Sequence, residues 1–170
     1  MSQLAVTAAE LRAICAQAER EYPNECCGIV MTCGDERRLL QFRNVQDEMH
    51  RLDPKRFPRT AQKAYYVGLD DHKRIEELSG LGFATAVIYH SHPDAGAYFS
   101  PMDRDQAAPM TPTSTAPARR TPLWPGVTYV VVSVMGGEAV EVAEFQWVDG
   151  VQDFEQKSKE TLVLSKGKPS

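Results

Sequence analysis

The sequence predicts an α/β domain, and three observations carry that expectation. At 170 residues the chain has the length of one domain, enough to remove roughly two thirds of its unfolded surface from water. Stretches with helical periodicity alternate with runs that read as strands. One of those runs, Phe83–His90, is apolar along most of its length, as a strand covered on both faces would be. Hydrophobic residues at 42% and charged residues at 25% sit near globular averages. That balance excludes a disordered, collagenous or membrane-spanning chain.

Thr7-Ala8-Ala9-Glu10 is a capping-box pattern, and Leu11, Ile14, Cys15, Ala18 and Tyr22 follow at helical spacing as one buried stripe. Pro23 ends that helix. Glu25–Thr32 reads as a strand, Cys33–Glu36 as a hairpin connection, and Arg37–Asn44 as the return strand. Between Val45 and Gly68 the pattern is irregular, with a short helix expected around Pro54–Lys63. Asp70 and Asp71 open a further helix with Ile75 and Leu78 on its inner side, closed by Gly80 and Gly82. After the Phe83–His90 strand come a second buried strand, Val127–Val134, and an outer one, Glu138–Val148, joined by Gly136-Gly137. The domain is expected over 1–150. Pro109–Pro122, rich in Pro and Thr with almost no large apolar side chain, is expected as a mobile surface loop. The charged tail at 151–170 is expected to fray, with Phe154, Leu162 and Leu164 able to pack.

Lys+Arg 19 against Asp+Glu 23 gives a net charge of −4, too mild to steer the chain toward any partner. A pI of about 5.6 argues against an electrostatically driven nucleic-acid binder. No signal-peptide pattern and no membrane-length apolar run occurs, which points to the cytoplasm and its reducing environment. Cys15, Cys26, Cys27 and Cys33 match no paired zinc-ligand spacing and are expected as buried small hydrophobes.

The chemistry concentrates in His90-Ser91-His92-Pro93, followed after a turn-rich loop by Ser100-Pro101-Met102-Asp103. Side chains alternate along a strand, so His90 and His92 share one face and Ser91 points away. Two neutral imidazoles on one face can bind a cation such as Zn²⁺, and Asp103 is the next candidate ligand. Two histidines and a carboxylate leave a fourth tetrahedral position for water, the composition of a catalytic zinc site. Ser100-Pro101-Met102-Asp103 also reads as a capped helix start, which would present Asp103 in a fixed direction. His72 is expected to face solvent, His50 to stand outside the site, and Cys26 and Cys27 to pack.

A glutamate, then His-x-His-Pro, then Ser-x-x-Asp with seven residues between the second histidine and the serine, resembles the JAMM (MPN-plus) metalloprotease signature. Here the motif is Glu25, His90, His92, Ser100 and Asp103, and the similar order of elements runs from about Leu4 to Val148. The resemblance implies a three-layer domain, a central mixed sheet with helices on both sides, in the cytidine-deaminase-like architecture. It implies that His90, His92 and Asp103 ligate Zn²⁺ and that Glu25 is the general acid/base acting on the zinc-bound water, a role worth roughly 10²–10⁴-fold. Ser100 would stabilise the oxyanion, an effect of roughly 3 kcal/mol in comparable sites.

Members of that family act after the Gly-Gly terminus of ubiquitin-like proteins. The compact prokaryotic type typically processes small sulfur carriers beside an adenylating enzyme. The resemblance therefore implies a carrier ending in Gly-Gly as substrate and an adenylating enzyme as a pathway partner, with neither nucleic acid nor membrane. Three alternatives stay open: removal of conjugates in a bacterial ubiquitin-like modification or defence system, a small-molecule zinc hydrolase, and a metal-free scaffold. Zinc deaminases use H-x-E and PCxxC, and neither string occurs here.

Overall fold

A computed structural model describes residues 3–162. The elements run α1 (Ala8–Glu21), β1 (Cys27–Cys33), β2 (Glu36–Phe42), α2 (Gln46–Leu52), α3 (Leu69–Gly80), β3 (Ala84–Pro93), α4 (Pro101–Ala107), β4 (Met110–Thr111), β5 (Arg119–Arg120), β6 (Thr128–Met135), β7 (Glu138–Val148) and β8 (Asp153–Thr161). Six strands form one mixed sheet in the order β2-β1-β3-β6-β7-β8. Only β3 and β6 pair in parallel, because the chain passes through α4 and the β4–β5 ribbon between them. Every other neighbour in the sheet is antiparallel.

Helices cover both faces, as the three-layer expectation requires. Ile14 and Ala18 of α1 pack on Val30, Val87, Tyr89, Val130 and Val132 on one face. Ile75 and Leu78 of α3 cover Ile29, Met31 and Leu40 on the other, and Ala107 of α4 joins Phe99, Tyr129 and Val131 there. Consecutive residues of β3 thus serve opposite layers: Val87 and Tyr89 face α1, while Ile88 faces the α3 side. His90 and His92 follow Ile88 at period two and share its face.

Local chemistry sets the boundaries. The Thr7 side chain accepts from the Glu10 N–H, and the Glu10 carboxylate accepts from the Thr7 N–H, so the predicted capping box opens α1. Tyr89 is fully buried and donates to Gln17 Oε1 at 2.5 Å. Gln17 in turn donates to the carbonyls of Cys27 and Phe42, 3.2 Å each, tying α1 to two strands. Gly28 makes room for this knot: a Cβ there would stand 2.2 Å from the Tyr89 hydroxyl. Gly136 and Gly137, at φ +58° and +90°, supply the left-handed backbone that joins β6 to β7.

Five local expectations need correction. The helix expected at Pro54–Lys63 lies at Gln46–Leu52, and 54–63 is a series of turns. It has seven residues and Val45 gives it no side-chain cap, so neither periodicity nor a capping signal marks it. Within the tail, Asp153–Thr161 pairs along β7 and buries Phe154, so this stretch does not fray; β7 is therefore not an outer strand. Leu162 packs on the α1 layer, whereas Leu164 lies outside the described residues. Pro109–Pro122 is not a free loop, because Met110–Thr111 and Arg119–Arg120 pair as a two-stranded ribbon at its base. Cys33 is exposed at the hairpin, while Cys26 and Cys27 are buried as expected. Among the described residues, no helix is long and apolar enough to cross a membrane.

Candidate metal centre

The carboxyl end of β3 brings two histidines onto one face, and the start of α4 brings Asp103 against them. His90 Nε2 lies 3.1 Å from Asp103 Oδ1, His92 Nε2 lies 3.4 Å from Asp103 Oδ2, and the two Nε2 atoms are 3.1 Å apart. All three residues are buried, His90 to 1% exposure. The three side chains offer ligand atoms within 4.8 Å of one another and can hold a metal ion.

Each group is held by its own element. Ser100 caps α4, accepting from the Asp103 N–H at 3.1 Å, while Asp103 Oδ2 accepts from the Ser100 N–H at 2.8 Å. The reciprocal cap fixes the carboxylate and leaves Oδ1 aimed at His90. The Gly96 carbonyl lies 3.0 Å from His92 Nδ1, a contact that holds the ring with Nε2 toward Asp103. Among the described residues His90 Nδ1 has no such partner, so packing positions this ring, with Tyr65 at 5.1 Å between ring centroids. Ser91 points to the opposite layer and accepts from the Cys26 N–H at 2.8 Å, clamping β3 to the chain beside Glu25.

Glu25 precedes β1, buried to 7% exposure, and lines one pocket with His92, Ser100 and Asp103. Its N–H donates to Ala61 O at 2.8 Å and its carbonyl accepts from Asn44 Nδ2 at 2.9 Å. Asn44 also donates to Ala64 O at 3.1 Å, and its Oδ1 accepts from the Gln46 and Tyr66 N–H groups. This asparagine therefore joins the Glu25 backbone to the 59–66 segment. The sequence pattern did not single it out, because three of its four partners are backbone atoms brought near only by the fold.

Burial raises the Glu25 pKa above the ordinary glutamate value, partly opposed by the two histidines and Lys63. For Asp103, burial works against ionisation, but His90 and the bonds from both histidines and Ser100 override it and hold the acid far below its ordinary value. Burial alone would lower the His90 pKa, and Asp103 more than reverses that. Burial pushes the Cys26 thiol up to about 12, so it stays protonated and packs. His50 is engaged locally, its Nδ1 2.7 Å from the Phe57 carbonyl, and His72 is exposed.

The family described as prokaryotic homologs of the JAB domain matches residues 7–148. The chain belongs to that family. Its JAB domain is also similar in fold to the solution structure of protein DSY2949 from Desulfitobacterium hafniense, with a TM-score of 0.53 and 19% identity, covering 89% of this chain and 88% of that one. A protein from Salinibacter ruber gives the same TM-score of 0.53 at 23% identity, covering 89% of this chain and 87% of that one. Among curated proteins, tail tip assembly protein K of Escherichia phage N15 is 31% identical over 94 residues, 55% of this chain. The JAB domain here spans 32% of that relative's length.

Proposed function

We propose that this JAB domain is a zinc-dependent peptidase hydrolysing the peptide or isopeptide bond after the C-terminal Gly-Gly of a small ubiquitin-like or sulfur-carrier protein. The observation that supports it most is the pocket that Glu25, Ser100, His92 and Asp103 line together, with His90 completing the three-residue cluster beside it. The donor set fits zinc. Tetrahedral zinc with bonds of about 2.0–2.1 Å needs ligand atoms about 3.3 Å apart, and the separations here are 3.1, 3.1 and 3.4 Å. When bound, zinc would supply a Lewis acid and lower the pKa of a water from 15.7 toward about 7.

Glu25 then carries the proton. Its carboxylate takes a hydrogen from the attacking water, whose oxygen bonds to the scissile carbonyl carbon. As the C–N bond breaks, Glu25 returns that proton to the leaving nitrogen, giving a carrier carboxylate and a free amine. Burial, by raising the Glu25 pKa, makes the protonated form accessible for this return. Ser100 accepts its capping bond through oxygen, which leaves the hydroxyl hydrogen to donate to the oxyanion. A Gly-Gly tail suits a pocket lined by Arg59, Gln62, Lys63 and Tyr98, since residues without Cβ need the least room to approach the candidate ligands. The proposed setting is the cytoplasm, beside the adenylating enzyme that charges the carrier.

The likeness to the tail tip assembly protein favours a second reading, in which the same chemistry acts on a phage tail-tip protein. One assay separates them. Zinc-loaded protein is incubated with a carrier ending in Gly-Gly-X, and the products are weighed by mass spectrometry. The proposal predicts loss of the residues after Gly-Gly, and Glu25→Gln retaining stoichiometric zinc with turnover down by about 10²–10⁴-fold. An intact carrier, or a Glu25→Gln variant as fast as the parent, would contradict it.

A further inference from the structure

The pocket has a cationic wall that the hydrolytic chemistry leaves unused. Arg59 and Lys63 line it together with His92, Ser100 and Tyr98. Both side chains are exposed, and among the described residues neither makes an ion pair or a side-chain hydrogen bond. Arg37, Arg74, Arg104 and Arg120 all have carboxylate partners. Unpartnered cations scattered over a surface are ordinary. Two that line the pocket holding the candidate catalytic groups are placed to meet a ligand.

Their backbone is fixed. Gln46 Nε2 donates to Arg59 O at 2.8 Å, and Asp47 accepts from the Ala61 N–H at 2.7 Å. Ala61 O accepts from the Glu25 N–H at 2.8 Å, and Ala61 and Ala64 are themselves buried. The wall is thus tied to the segment that carries Glu25, so its charges and the candidate base keep one spacing. Binding an anion there requires ordering only the two side chains.

A peptide substrate brings a negative charge to this place in a limited number of ways. Where the leaving group is a lysine side chain of a folded protein, the atoms beyond the scissile nitrogen are methylenes and neutral amides. Where it is a terminal amino acid, its free α-carboxylate lies one residue past the scissile bond. An arginine fork can grip both carboxylate oxygens, and a lysine adds a mobile point charge.

We propose that Arg59 and Lys63 bind the free α-carboxylate of a short leaving segment, so that this enzyme trims C-terminal residues from its carrier rather than opening conjugates between proteins. The proposal rests on the pocket being that of a peptidase. It is tested with two short peptides ending Gly-Gly-Ala, one with a free carboxylate and one amidated. Their affinities are measured by calorimetry on the Glu25→Gln protein at low salt. The free acid is expected to bind about tenfold tighter, with the advantage shrinking as salt rises. Adding Arg59→Gln and Lys63→Gln should abolish the difference while leaving the thermal midpoint unchanged, since both side chains are exposed. Equal affinity for acid and amide, or a preference that survives the double substitution, overturns the carboxylate site. An equal fall for both peptides in the double variant also overturns it and assigns the wall to another contact. Cleavage by the zinc-loaded parent is read separately: if neither peptide is cut, the peptidase reading falls while the binding comparison still decides the carboxylate site.

Discussion

Asp103 shows how much one residue can carry. Its Oδ2 completes the cap of α4 and its Oδ1 faces His90, so local helix chemistry aims a candidate metal ligand. Both roles are legible in Ser100-Pro101-Met102-Asp103, because a cap is a short-range pattern. Gly28 carries the opposite lesson. In sequence it is one strand glycine, and its function is visible only where Tyr89 crosses it to reach Gln17. A methyl at Gly28 would meet the Tyr89 hydroxyl at 2.2 Å and the Leu40 carbonyl at 2.3 Å, the latter a backbone atom unable to move cheaply. Gly28→Ala is expected to cost about 1–3 kcal/mol or more, read as a lower urea midpoint; an unchanged midpoint would contradict the close approach.

At the scale of elements, α1 makes a pH prediction. Arg37 bonds Glu10 through two of its nitrogens and holds the carboxyl below its ordinary value of 4.5. A depressed folded-state pKa gives stability that is fully present above the unfolded value and lost as pH falls through the folded one. The stability gap between parent and Glu10→Gln should therefore be constant from pH 7 to 5 and close below about 4.5. A gap that widens in acid would contradict the pairing. The β4–β5 ribbon makes another. Its base is held by Arg120, which pairs with Asp105 at 2.8 Å and donates to Ala108 O, so this arginine is already engaged rather than free to meet a partner. The tip at 112–118 is exposed. Deleting it is expected to leave both the thermal midpoint and kcat/KM unchanged; a loss of kcat/KM alone would make the tip a docking element. Elements with apolar periodicity or a cap were readable from sequence, including α1, α3, α4, β3 and β6. The 45–68 segment was not, since Asn44, Gln46 and Asp47 shape it through bonds to distant backbone. Nor was β8, whose charged run Glu155–Glu160 hides a strand that the β7 ladder alone specifies.

For the whole molecule, the fold is a device for bringing residues 25, 90, 92 and 103 together. A strand covered on both faces ends where two imidazoles share one side, and α4 and Tyr65 close against them. The family, the mixed sheet and the candidate ligand set were legible because the motif is dense in chemistry. The cationic wall of Arg59 and Lys63 was not, because nothing local marks which exposed cations face a pocket. The most direct test of the account is anomalous scattering at the zinc edge from crystals grown with zinc. The account predicts one strong peak bonded to His90 Nε2, His92 Nε2 and Asp103 at about 2.0–2.2 Å, absent from the Asp103→Ala protein. A peak elsewhere, or full occupancy retained in that variant, would contradict it.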